Sequence, residues 1–339
     1  MADEARENGI LRVIDRSSAI LSPIIGGLIL DFFGLKAMCF IMIGWNVAGW
    51  IVESLTLHWV YKQVSALAVK KKVYDNLKIQ PKSLSIVGMF KAYFIQEIFP
   101  AALGLSFLYV TVLAFDGISI GFGKKQGLDS TIIGVFRALG STFGLLAAIT
   151  YPFFERKIGL RRSAFFGLSI ELGSLIICVI SVFLPGSPFD PIGYFRSLTW
   201  KDWWDTFSRT FDATLDNNDK SENSTGMDWS EFTVNNIPAT SLFFFYSGIT
   251  LARFGLWLTD LSITQLMQES VDESIRGTIF GVHTSLCLFF SVCKDIIAIL
   301  LPDSKTFGLL IFISVIAVGS AFFLFFYFQI RKVHPKEQA

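Results

Sequence analysis

The residues of this chain that could do chemistry are the acids and bases set inside apolar runs. At bilayer depth an ionisable side chain costs from about 2.5 kcal/mol upward, so each needs a partner or a function. They are Glu53, Asp116, Arg137, Glu171, Arg253, Asp260, Lys294 and Asp295, with Asp31 and Glu97 nearer the ends of apolar stretches. Asp116 ends the uncharged stretch from Ile98 to Phe115 and is followed by Gly117, Gly121 and Gly123. Glycine interrupts helices, and a helix broken near the bilayer centre exposes carbonyls and carboxylates to a cation. A carboxylate beside unwound backbone suits a hard or borderline divalent metal, which makes Asp116 the candidate metal ligand. The competing reading is that these glycines only permit close helix packing.

Arg253 and Asp260 stand two turns apart on one helical face. Lys294 beside Asp295 either neutralises its neighbour or snorkels toward the helix end. For all of these a structural ion pair is the competing explanation. His283 is a softer candidate ligand, set against the commoner role of a hydrogen-bonded packing histidine. Catalytic constellations are missing: the sequence has no GxSxG, HExxH, Walker loop or strand-borne GxGxxG, and only 3 His. No enzymatic activity and no cofactor are expected.

The elements that must position these residues are membrane helices. Hydrophobic residues make up 52% of 339 and charged residues 17%, against about 25% charged in soluble domains, and mean hydropathy is +0.54. A helix needs about 20 mainly apolar residues to cross the hydrocarbon core. Spans are expected near 17–34, 37–59, 94–122, 131–153, 164–185, 239–267, 278–301 and 306–329. The fold class expected is therefore an all-α, multi-pass helical bundle of about eight transmembrane helices. The formal net charge of +1 argues against a nucleic-acid partner. Cys39, Cys178, Cys287 and Cys293 lie in apolar runs without a CxxC pair, so neither a disulfide framework nor a zinc ribbon is indicated.

Lys and Arg gather on one face: Lys62 to Lys91 between the second and third spans, Arg156 to Arg162 after the fourth, and Arg331 to Lys336 in the tail. The positive-inside rule then places both termini in the cytosol. Residues 60–92 become a basic cytosolic linker between two helices in 1–59 and six in 93–330, and 331–339 a cytosolic tail. Loop 186–238 falls outside the cell and carries the sequon at Asn223, a candidate glycosylation site.

A run of blocks then resembles the ferroportin family, iron exporters of the major facilitator type (solute carrier family 40). The early blocks are Ile14-Asp15, Ile20 to Pro23, Gly44-Trp45-Asn46 with Glu53, and Ala66 to Lys70. Phe107 to Asp116, Gln126-Gly127-Leu128 and Ile176 to Pro188 follow; then come Ala252 to Trp257 with Asp260, Thr264-Gln265-Leu266 and Glu273 to Gly277. The resemblance implies twelve helices in two lobes, alternating access, and export of ferrous iron across the plasma membrane. This chain would start near the family's fifth helix, as an amino-terminally truncated form, and so lack the metal site carried on the first. The family's other site joins a cysteine after Asp116 to a histidine on the eleventh helix, and those positions hold Gly117 and Lys294. A lysine ammonium has no acceptor for a metal and repels a dication, so metal is expected to bind weakly here or through other ligands. The cysteine is also where vertebrate members engage hepcidin, so hepcidin-type regulation through Gly117 is not expected. Resemblance further implies that Arg12, Asp15 and Arg276 join the lobes on the cytosolic side as a charge-assisted gate; an exposed turn is the alternative. Competing functions are a non-transporting fragment or partner subunit, and a carrier for another divalent metal or an organic solute.

Overall fold

The computed structural model describes residues 39–63, 85–215, 232–234 and 237–333, with isolated positions 14, 18 and 29. The chain divides into two units, Ser17–Gly88 and Met89–Ala339 together with Met1–Arg16. Within the first lies α1, Cys39–Gln63, apolar and long enough to cross a bilayer. The expected span 17–34 lies outside the described residues apart from two isolated positions.

The second unit begins within α2 (Ile86–Ile95) and continues through α3 (Phe99–Phe107), α4 (Gly117–Lys125), α5 (Ser130–Ile158) and α6 (Leu160–Phe183). A loop region then holds α7 (Pro191–Ser197), α8 (Trp200–Leu215) and a short antiparallel ladder, β1 (Thr233–Val234) with β2 (Ile237–Pro238). Three long helices close it: α9 (Thr240–Ser270), α10 (Glu273–Leu300) and α11 (Phe307–Val333). Among the described residues 6 helices are long and apolar enough to cross a membrane, or up to 7 if α2 and α3, bent by 108° at their junction, count as one span. The chain is a multi-pass helical membrane protein.

Local sequence accounts for the breaks. Long helices α5 and α6 are joined by Gly159 alone, at φ +82, a left-handed conformation that glycine adopts without a Cβ penalty. Arg156 and Lys157 in the last turn of α5 suit its carboxy-terminal dipole. Apolar side chains divide between core and lipid on the long helices of Met89–Ala339. On α11, Ala321 and Phe325 are fully buried while Ile316 and Phe323 are 67% and 69% exposed, as a helix flanked by neighbours on one side and hydrocarbon on the other requires.

The tightest packing joins α9 to α6. A Cβ on Gly255 would stand 2.5 Å from both the Glu171 amide nitrogen and the Gly167 carbonyl oxygen, and one on Gly248 2.5 Å from Cys178 Sγ. These small residues let two backbones approach closely, which matters in lipid because packing and polar contacts, not water exclusion, hold membrane helices together. Ser241 adds a cross-helix bond to the Ser181 carbonyl at 2.7 Å. Around this seam lie Leu168, Leu175, Phe245 and Ile249, with Ala101 and Ala102 of α3 and Ala321 of α11 in the same core.

Substitution of Gly255 by Ala is therefore expected to destabilise the solubilised protein by about 1–3 kcal/mol, the cost of overpacking a fitted interface. Gly173→Ala and Gly319→Ala, where a Cβ meets nothing within 4 Å, are expected to be neutral or mildly stabilising because alanine is the better helix former. Thermal unfolding midpoints in one detergent separate the two outcomes.

Candidate functional site

The sequence predicts one span over 94–122; the structure breaks it. Helix α3 carries Pro100 in its first turn and gives way to a 3-10 turn at Leu108–Val110. Residues 111–116 leave helical geometry before α4 begins at Gly117. Inside a bilayer the freed backbone groups need partners within the protein. Val112 N–H donates to Ser314 Oγ of α11 at 3.0 Å, and the Val112 carbonyl accepts from Ser119 Oγ at 2.7 Å. The Leu113 and Ala114 amides bond back to Thr111 Oγ1 and the Val112 carbonyl, at 3.1 and 2.9 Å.

The break thus precedes the glycines instead of coinciding with them. Gly117, Gly121 and Gly123 all lie inside α4. Helix re-forms there because the Asp116 side chain caps it, Oδ1 accepting from Ile118 N at 3.2 Å and Ser119 N at 3.3 Å. Gly123 has a packing role: a Cβ there would collide with the hydroxyl of Tyr246, which donates to the Ser119 carbonyl at 2.8 Å.

The other oxygen of Asp116 is the chemically interesting one. Lys294 Nζ of α10 donates to Oδ2 at 3.0 Å and also stands 3.4 Å from Asp295 Oδ1. The side chains are 13% exposed for Lys294, 30% for Asp116 and 55% for Asp295, so the ammonium is shared between a sheltered carboxylate and an open one. Asp295 pairs with Lys294 as adjacency suggests, and a closer partner, Asp116, lies across the bundle. Chemically, the arrangement is a carboxylate at a helix break whose cation is tethered to the protein and has a second carboxylate to retreat to.

Arg253 and Asp260 flank Gly255 on α9, opposite Glu171, which is 2% exposed and within electrostatic reach of both. Arg253 Cζ sits 6.0 Å from the Phe115 ring centroid, the residue before Asp116. That ring stacks on Tyr246. Arg253 of α9 therefore abuts the unwound stretch, and Glu171 of α6 joins Arg253 and Asp260 through a long-range contact that the sequence leaves hidden. His283 is buried among Tyr93, Ser106 and Cys287. Arg276, in the first turn of α10, donates from Nη2 to the Val271 carbonyl at 3.3 Å. Arg12, Asp15 and Asn223 lie outside the described residues. Among the described residues no group of three or more His, Cys, Asp or Glu side chains could hold a metal ion.

The family model Ferroportin1 (FPN1) matches residues 2–318. Ferroportin from Canis lupus familiaris is 31% identical over 381 residues, covering 97% of this chain and 66% of that protein. Ferroportin from Homo sapiens is 32% identical over 375 residues, covering 96% of this chain and 65% of that protein. The chain thus spans about two thirds of the length of these curated relatives. Among solved structures, a bacterial homologue of iron transporter ferroportin in an outward-facing state matches with TM-score 0.66 and 22% identity, over 97% of this chain and 65% of that one. The inward-facing state of a bacterial homologue matches with TM-score 0.56 and 21% identity, over 96% of this chain and 63% of that one.

Asp116 carries two separable roles, cap and counter-ion. Asp116→Asn keeps a capping oxygen and removes the charge; Asp116→Ala removes both, and is expected to cost about 0.5–2 kcal/mol more, the worth of an N-cap. In a double-mutant cycle, Asp116→Asn and Lys294→Met should be coupled, the second substitution costing less in the presence of the first. Additive unfolding free energies would contradict the ion pair.

Proposed function

The chain belongs to the ferroportin family, and from that premise we propose that it moves a divalent metal ion, ferrous iron, out of the cell by alternating access, with no enzymatic step. The observation that carries the reading is the Asp116–Lys294 pair at the helix break. Asp116 is the carboxylate that receives the ion, beside carbonyls of the unwound stretch. Lys294 then gives up Asp116 and keeps Asp295.

The physical advantage of such a tether lies in the empty carrier. An exporter that has released its ion must reorient with its site unoccupied, and an unpaired carboxylate at bilayer depth is costly. Lys294 neutralises that carboxylate between cycles. The same ammonium competes with the incoming ion, which lowers affinity and favours release. Arg253, packed on Phe115 and linked electrostatically to Glu171, is the charged surface against which the unwound stretch moves.

Around this core we place the remaining expectations. Both termini face the cytosol and the chain resides in the plasma membrane. Arg276 closes the cytosolic side with Arg12 and Asp15, Asn223 is glycosylated on the extracellular loop, and hepcidin finds no cysteine at Gly117. A second reading is favoured by the ion pair itself: a carboxylate already neutralised can serve as a strut, the chain then being a non-transporting partner.

Radio-iron efflux decides between them. Cells expressing the 339-residue chain are expected to lose loaded iron faster than control cells, and Asp116→Ala is expected to bring the rate down to the control. Efflux no faster than the control with the unmutated chain at the cell surface would contradict the carrier reading.

A further inference from the structure

We propose that His283 and Cys287 of α10, with Ser106 of α3, form a second metal-binding site, for a thiophilic d10 cation such as zinc(II) or copper(I). Thiolate and imidazole are the ligands such ions select over the carboxylate and carbonyl oxygens available at Asp116. The two side chains sit on adjacent turns of one helical face, with Cys287 Sγ 3.6 Å from His283 Nε2. A zinc ion about 2.3 Å from sulfur and about 2.0–2.1 Å from nitrogen, at a tetrahedral angle, spans a gap of about 3.5 Å. The pair is therefore already at chelating separation.

The rest of the cluster orients the imidazole as metal-binding histidines are usually oriented. Nδ1 is held by the hydroxyls of Tyr93 at 3.2 Å and Ser106 at 3.3 Å. An N–H at Nδ1 directed to those oxygens leaves the Nε2 lone pair facing Cys287. Ser106 Oγ also lies 3.6 Å from Cys287 Sγ and supplies a third, oxygen donor. All three residues are buried, at 0% to 8% exposure.

Charge is balanced as well. Binding breaks the Cys287 S–H bond, forms the sulfur–metal bond and releases the proton to solvent. A divalent ion, one thiolate and the carboxylate of Asp260, which lies within electrostatic reach of Cys287, together sum to zero. An ion at this site would tie α10 to α3, the helix that leads into the unwound stretch, while leaving Asp116 and Lys294 untouched.

The test uses cadmium alone on the purified full chain, reading the thiolate-to-metal charge-transfer absorption. Expected is a band that saturates at one equivalent, is lost in Cys287→Ser, survives in Cys293→Ser, and needs at least about tenfold more cadmium in His283→Gln. A band that survives Cys287→Ser, or an affinity unchanged by His283→Gln, would overturn the proposal. X-ray absorption of the unmutated chain loaded with one equivalent of zinc requires no variant to fold. One sulfur neighbour at about 2.3 Å supports the site, and a shell of oxygen and nitrogen alone refutes it.

Discussion

Hydrocarbon offers no partner to a backbone amide, and that constraint shapes everything around residues 111–116. A helix that stops in mid-membrane must find its missing partners elsewhere. Ser314 on α11 and Ser119 on α4 supply them for Val112. Once the chain is held open in this way, a residue is needed to restart the helix. Asp116 does so with one carboxylate oxygen and turns the other toward α10. The candidate site is thus a consequence of the break: cap, carboxylate and ion pair are one side chain seen from three directions.

Much of the architecture was legible in composition. Spans expected at 131–153, 164–185, 239–267, 278–301 and 306–329 correspond to α5, α6, α9, α10 and α11, because a run of about 20 apolar residues has few alternatives to a membrane helix. The stretch 94–122 was different. Its side chains are as apolar as those of a continuous span, and hydropathy reports side chains while the break lies in the backbone. Its stabilising partner, Ser314, is 202 positions away from Val112. No local window contains that contact.

The site residues divide in the same way. Asp116 stood out because a lone carboxylate in an apolar run is conspicuous. Its pairing with Lys294, 178 positions later, was hidden, since the adjacent Asp295 offered a nearer explanation for the lysine. His283 and Cys287 are four positions apart, a spacing that places them on one helical face and was available from sequence. Ser106 and Tyr93, which hold the imidazole, come from other helices and were not. Gly255 reads as one more small residue in an apolar run, although its hydrogen atom alone fits between α9 and α6.

Lys294 is the residue on which the proposed function turns, because its ion pair occupies the carboxylate assigned there to the metal. Equilibrium titration of the purified chain with a divalent metal such as cobalt(II), comparing unmutated protein with Lys294→Met, addresses this most directly. Removing the tethered ammonium is expected to tighten binding by about tenfold or more, corresponding to at least about 1.4 kcal/mol. Equal or weaker affinity in Lys294→Met would mean that the ammonium does not contend with the metal for this carboxylate.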